Sequence, residues 1–236
     1  MRTVLCKGLN LSPDIVYLTT HRDLTQREQR VNLHPLCSVH PLCTLWLKYL
    51  LICLYLKLHI MTNPENKFSE IHPKELTDNF FHILDDGWML ITAGERESFN
   101  TMTASWGTAG ILWNKLVAIC FVRPQRYTFG FMEKSNIFTL CFFTEQERDI
   151  LDYCGSRSGR DTDKIKDTGL KPLFTGNGGI YYEQARLVLE CRKLYSDRLR
   201  EDNFHIQQII KKNYPIKDFH KFFIGEIVSC LIGRIQ

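Results

Sequence analysis

Residues 99–128 read FNTMTASWGTAGILWNKLVAICFVRPQRYT, and this stretch decides how the rest of the chain is read. Asn100 to Trp106 is small and polar with one large aromatic at its end. Leu116 to Val122 is an uninterrupted apolar run, too short for a typical helix and rich in Val, Ile and Phe. Such a run predicts a strand buried on both faces. Pro124 stops it, with Arg123 and Arg126 on either side of the stop. A strand that ends in two arginines, a tyrosine and a threonine presents an anion site at the rim of a core. A surface turn with solvated charges fits the same residues equally well.

Working outward, Trp88 to Thr92 predicts a first strand closed by Ala93-Gly94-Glu95, and Asn100 to Trp106 pairs with it across a short polar turn. Ile71 to Leu84 predicts a short helix that packs Leu76, Phe80, Phe81 and Leu84, ended by Asp85-Asp86-Gly87. Tyr127 to Lys134 reads as helix and Ile137 to Phe143 as strand. Thr144 and Glu147 form a capping box for a helix from about Glu145 to Tyr153. The loop CGSRSGRDTDK enters another helix, with Asp161 as its expected cap and Gly169 and Pro172 at its end. Thr175 to Gly179 (TGNGG) has no strand-then-helix context and reads as a turn, not a dinucleotide fingerprint. Ala185 to Tyr195 alternates as a half-exposed antiparallel strand, with Val188, Glu190 and Arg192 on the outer face. Asn203 to Lys212 is an amphipathic helix with Phe204, Ile206, Ile209 and Ile210 on one face. Phe219 to Leu231 is the last long strand. Many strands, short turns and no βαβ rhythm predict an antiparallel barrel with helical insertions.

The chain has 236 residues, 44% hydrophobic and 24% charged, enough for a substantial core. A net charge of +4, without a basic stripe interleaved with aromatics, argues against nucleic-acid binding. Nine cysteines without a CxxC pair read as thiols of a reducing, cytoplasmic compartment. Residues 1–60 differ in texture from the rest. His34, Cys37, His40 and Cys43 have zinc-ligand chemistry, but their even spacing with two prolines fits a structural zinc site poorly, so no metal is expected. Leu45 to Ile60 is strongly apolar, yet Lys48, Lys57 and His59 interrupt it, and it falls short of a membrane span. The reading adopted is an atypical extension over 1–60, disordered or a non-native start, followed by one domain over 61–236 that begins at Met61.

Walker, HExxH, GxSxG and paired-cysteine zinc motifs are missing. The remaining chemistry is anion binding: Arg123, Arg126 and Thr128 at one strand end, and Ser156, Arg157, Ser158, Arg160 and Lys164 at a loop-to-helix entry. Sequence alone does not say that the two groups meet. Cys154 and Cys191 lack a partner cysteine nearby and read as buried thiols.

Four motifs in order, NTMTASWG, RPQRYT, SGRDTDK followed by TGL, and FFIGEIV, resemble the flavin reductase-like, flavoredoxin-type family. The resemblance runs from Met61 to about Leu231. It implies an FMN-binding split β-barrel of antiparallel, Greek-key type, usually a homodimer with FMN near the subunit interface. Asn100, Met102, Thr103, Ala104, Ser105 and Trp106 resemble the strand that lines the isoalloxazine, although Met102 and Trp106 also fit core packing. Arg126, Tyr127 and Thr128 resemble phosphate and ribityl contacts, and Ser158, Arg160 and Lys164 a second anion-binding loop. His220 matches a family position that approaches the flavin and is the one candidate catalytic group; a lone histidine on a strand also fits a structural role. The chain stops soon after IGEIV, where longer members continue toward the flavin. The implied activity is an NAD(P)H-dependent flavin reductase passing hydride or electrons through FMN to flavin or another acceptor. The alternative is a flavoredoxin-like carrier that delivers electrons to a protein partner, and a membrane-tethered version comes last.

Overall fold

Runs of apolar residues on the longer strands, such as Met89–Ile91 and Leu187–Leu189, buried on both faces, set the architecture. The computed structural model describes residues 67–234. The readings of the His34–Cys43 set, the Leu45–Ile60 block and the Met61 start lie outside the described residues. Ten strands follow in order: β1 (Phe68–Glu70), β2 (Met89–Glu95), β3 (Ser98–Ala104), β4 (Gly107–Leu112), β5 (Lys115–Val122), β6 (Ile137–Phe142), β7 (Pro172–Phe174), β8 (Ile180–Tyr182), β9 (Leu187–Arg198) and β10 (Lys221–Gly233). The helices are α1 (Phe80–Asp85), α2 (Tyr127–Lys134), α3 (Arg148–Ser156), α4 (Lys164–Thr168) and α5 (Gln207–Asn213). The main sheet runs β3-β2-β6-β9-β10-β5-β4, all antiparallel, with β1 added to the far end of β10 and β7-β8 forming a separate hairpin.

The two terminal strands of that path, β3 and β4, are consecutive in the chain and joined by Ser105 and Trp106 alone. Three Cα–Cα steps span at most about 11 Å. The sheet therefore curls until its ends stand side by side without pairing, which is a split antiparallel barrel with helical insertions. Met89, Ile91, Phe138, Leu140, Phe142, Leu187, Leu189, Cys191 and Phe223 fill its interior. Each fully buried side chain of this size contributes about 1.5–3 kcal/mol.

Several local expectations need correction. The helix expected over 71–84 is broken: a 3-10 turn at Pro73–Glu75 is followed by α1, whose start is fixed by Asn79 accepting from the Phe81 amide. Phe81 consequently points outward, 86% exposed. Strands β1, β4, β7 and β8 are additions. The glycines and small residues of β4 carry little strand propensity, and that strand exists because β5 pairs with it across a two-residue turn with positive φ at Trp113 and Asn114. Only one face of β5 is wholly buried beyond Val117; Ile119 and Phe121 on the other are half-buried.

The outer face of β9 is half-exposed only from Arg192 onward: Arg192 is exposed as expected, whereas Val188 and Glu190 are buried beneath the layer of α3, α4 and β7-β8. Leu90, Cys141, Leu151, Cys154 and Tyr182 complete this second core. The helix over 203–212 is shorter than its pattern; α5 begins at Gln207, which leaves Phe204 and Ile206 in the preceding turn. Asp163, not Asp161, caps α4, accepting from the Lys166 amide, while Gly169 at φ 69° closes it. The Thr144–Glu147 capping box is present and leads into α3. Among the described residues no helix is long and apolar enough to cross a membrane.

Candidate functional site

The candidate site lies where the barrel splits. The last residues of β3, the end of β5, the start of α2, the loop after α3 and the entry to β10 converge there, enclosing two adjoining cavities. One, about 340 Å³, is lined by Trp88, Thr103, Ala104, Ser105, Trp106 and His220, with Phe121 and Gly155. The other, about 400 Å³, is lined by Asn100, Tyr127, Thr128, Ser158, Arg160 and Lys164, with Gln125, Ser156, Arg157 and Gly159. Met102, Arg123 and Arg126 line both, so the two are one continuous recess. No carboxylate lines either part, whereas five cations line the second.

That second part is built from short-range order. Pro124 ends β5, and the Arg126 amide donates to the Arg123 carbonyl at 3.1 Å, turning the chain into α2. Asn100 Nδ2 donates to Thr128 Oγ1 at 2.7 Å, which pins β3 to the first turn of α2. After α3, the Ser158 carbonyl accepts from the Asp161 and Thr162 amides, folding SGRDT into a tight turn. Gly159 passes so close to β3 that an added Cβ would collide with Asn100 Oδ1 and stand 3.0 Å from the Tyr127 ring. Arg126 reaches the Gly155 carbonyl at 2.8 Å, and Arg160 reaches the Gln125 carbonyl while its guanidinium lies 5.1 Å from the Tyr127 ring centroid. Neither arginine has a carboxylate partner among the described residues.

Lys164 is different. It is 5% exposed, and its Nζ donates to the Thr101 and Cys154 carbonyls at 2.9 and 2.8 Å. Burial holds its pKa below the ordinary lysine value. Two of its three donors tie the fold, leaving one for a ligand. Arg123, grouped by sequence with the anion candidates, is committed elsewhere: it pairs with Asp218 and donates to the Asn213 carbonyl at 3.0 Å. The return loop before β10 brings that aspartate to the strand end, and no sequence period could show it.

In the first part Trp106, 44% exposed, lies with its ring centroid 4.9 Å from that of His220. His220 is 8% exposed and its Nδ1 shares a 2.9 Å hydrogen bond with the Tyr214 hydroxyl. Burial, with Arg123 and Arg126 adding to it against Asp218, pushes its pKa down from 6.5 to about 4. The imidazole is therefore neutral at pH 7. Above pH 6.5 folded and unfolded forms are both neutral here. As pH falls from 6.5 toward 4 the unfolded chain takes up a proton that the folded one refuses, so stability is lost across that window. The expected loss is on the order of 2 kcal/mol after allowance for solvent in the recess. Urea unfolding midpoints from pH 4 to 7.5 check it: His220→Gln should flatten this part of the profile, and identical profiles would contradict it.

Residues 81–235 match the family described as "Flavin reductase like domain". The chain belongs to the flavin reductase-like family. Among solved structures, an FMN-binding domain of a flavin reductases-like enzyme from Shewanella baltica OS155 is similar with 18% identity, TM-score 0.52, and coverage of 71% of this chain and 78% of that one. This likeness shows a shared fold. An FMN-binding protein from Thermus thermophilus with bound p-hydroxybenzaldehyde (22% identity, TM-score 0.48, coverage 61% and 70%) is also similar. So is the flavoredoxin of Desulfovibrio vulgaris (Miyazaki F), with 19% identity, TM-score 0.49 and coverage of 63% and 70%. No curated protein matches the chain.

In this flavin reductase-like domain the recess gathers Asn100, Met102, Thr103, Ala104, Ser105, Trp106, Arg126, Tyr127, Thr128, Ser158, Arg160, Lys164 and His220. Thr128 is 1% exposed and Met102 6%, so both serve packing as much as lining. The two groups of candidate anion-binding residues do meet, with Arg126 and Thr128 and with Ser158 and Arg160 lining one cavity. Sequence reasoning missed Trp88, Phe121, Gln125, Gly155 and Gly159. Phe121 was within reach, since it shares a strand face with Arg123. Trp88 was not: it sits before β2 at φ 62°, held against the Arg148 guanidinium 4.2 Å from its ring centroid. Cys154 and Cys191 are buried, and burial pushes Cys154 up to about 11 and Cys191 well above its ordinary value, which makes both inert thiols.

Proposed function

We propose that the recess binds FMN and that the protein is an NAD(P)H-dependent flavin reductase. The observation that carries the reading is the polarity of the recess: an aromatic slot at Trp106 and His220 opens into a carboxylate-free pocket of hydroxyls and cations. A flat, apolar ring joined to a phosphate monoester has that same polarity, so the donor set fits the cofactor. Membership of the flavin reductase-like family and the FMN-binding names of its structural relatives support the choice.

When bound, FMN supplies the acceptance of hydride from a reduced nicotinamide and its return to flavin or another acceptor. The chain's own residues bind and orient. Arg126, Arg160 and Ser158 hold the anionic end, with the third Lys164 donor behind them. Asn100 and Thr128, bonded to each other, keep β3 and α2 in register under it. Trp106 walls the ring and limits water, and neutral His220 presents a hydrogen-bonding imidazole without a charge. No acid-base dyad is required for hydride arriving at a flavin.

The test is anaerobic addition of NADH or NADPH to the FMN-loaded full chain. Rapid bleaching of the flavin absorption is the expected result. Absorption that both nicotinamides leave unchanged, yet dithionite bleaches, would reject the reductase in favour of the flavoredoxin-like carrier.

A further inference from the structure

At the Trp106 end of the recess one chemical choice is still open, the tautomer of His220. Three contacts hold this residue. Its carbonyl accepts from the Leu199 amide at 2.9 Å, the Trp106 ring centroid lies 4.9 Å from that of the imidazole, and Nδ1 meets the Tyr214 hydroxyl at 2.9 Å. Nε2 has no partner among the described residues and is not sealed from solvent, and the histidine lines the recess. What a ligand meets there depends on which nitrogen carries the single proton of the imidazole.

Tyr214 decides the choice. It directly follows α5, its amide donating to the Ile210 carbonyl at 2.8 Å, and it is 3% exposed. Phe204 and Phe219 pack against its ring with centroids 5.9 and 4.9 Å away, and the Arg123 guanidinium carbon stands 5.4 Å from it. None of these three side chains can accept a hydrogen bond. Asp218, whose charge reaches the phenol, gives Oδ2 to Arg123 and Gln125, and its Oδ1 has no partner. Among the described residues, His220 Nδ1 is thus the one acceptor for the phenolic proton. Burial raises the Tyr214 pKa above its ordinary value, so that proton stays in place. Donation in the other direction, from an Nδ1–H to the phenol oxygen, would leave a buried hydroxyl proton without an acceptor.

We propose that Tyr214 locks His220 in the tautomer that carries its proton on Nε2, so that the recess offers a fixed hydrogen-bond donor beside Trp106 and not a base. A ligand seated there presents a carbonyl oxygen or a bare ring nitrogen to His220, and His220 does not remove a proton from it. Tyr214 is then a positioning residue that acts through His220. Its effect on flavin binding rests on the FMN reading given above; the tautomer does not.

The test is long-range proton–nitrogen NMR of the full, nitrogen-15-labelled chain at pH 7 without FMN, His220 being assigned among the eight histidines by its loss in His220→Gln. Nε2 should give the protonated, pyrrole-like nitrogen signal and Nδ1 the bare, pyridine-like one. Tyr214→Phe keeps the packed ring and removes only the hydroxyl. Its His220 Nδ1 signal should therefore move downfield as the donor is lost, and FMN should bind about fivefold more weakly. A proton on Nδ1 in the parent, an Nδ1 signal that Tyr214→Phe leaves in place, or equal FMN affinities would overturn the proposal. If neither form binds FMN while Nδ1 behaves as stated, the tautomer stands and the FMN reading falls.

Discussion

Lys164→Met should lower the unfolding free energy by about 2–5 kcal/mol, a large share of what a domain of this size possesses. Methionine fills the volume but donates nothing, so the carbonyls of Thr101 and Cys154 lose their buried donor. Each unsatisfied group costs about 1–3 kcal/mol. The location matters as much as the number. Thr101 belongs to β3, one free edge of the split barrel; Cys154 belongs to the last turns of α3; Lys164 itself opens α4. One ammonium group therefore ties together three elements that carry site residues. Urea unfolding measures the effect, and a loss below 1 kcal/mol would mean that water replaces the lysine and that the tie is incidental.

Glu190→Ala should cost about 3–5 kcal/mol. Glu190 is fully buried on the outer face of β9. Its carboxylate accepts from Thr175 Oγ1, from Asn177 Nδ2 at 3.0 Å and from the Gly179 amide at 3.2 Å. Those three donors belong to the turn between β7 and β8, so the side chain organises that turn from the sheet below. Alanine leaves the donors unanswered and opens a cavity; glutamine keeps the shape and part of the bonding and should cost less than half as much. Denaturant unfolding, with hydrogen exchange at Gly179, distinguishes the two. Equal, small losses for both variants would show that the turn stands without the carboxylate.

The sequence was informative where local chemistry decides structure. The apolar run of β5, the proline stop and the Thr144 capping box each act over a few residues and are found as read, and residues of RPQRYT and SGRDTDK line one recess. The barrel followed from many strands and short turns. What stayed hidden depends on partners distant in the chain. Gly107 to Leu112 has little strand character of its own and becomes β4 because β5 lies beside it. Glu190 reads as a solvated outer-face residue until the layer of α3, α4 and β7-β8 covers it. Arg123 looks like an anion ligand until the loop before β10 delivers Asp218 to it. Trp88 lines the site in a backbone conformation that no pattern of neighbours signals.

The most direct test of the central claim is a side-by-side titration of the full chain with FMN and riboflavin, followed by flavin fluorescence. The two ligands share the ring and ribityl chain and differ only in the phosphate, which the account seats among Arg126, Ser158 and Arg160. Charged hydrogen bonds of this kind contribute about 1.5–3 kcal/mol each, so FMN should bind about 30-fold tighter than riboflavin or better. Equal affinities, or no binding of either flavin, would contradict it.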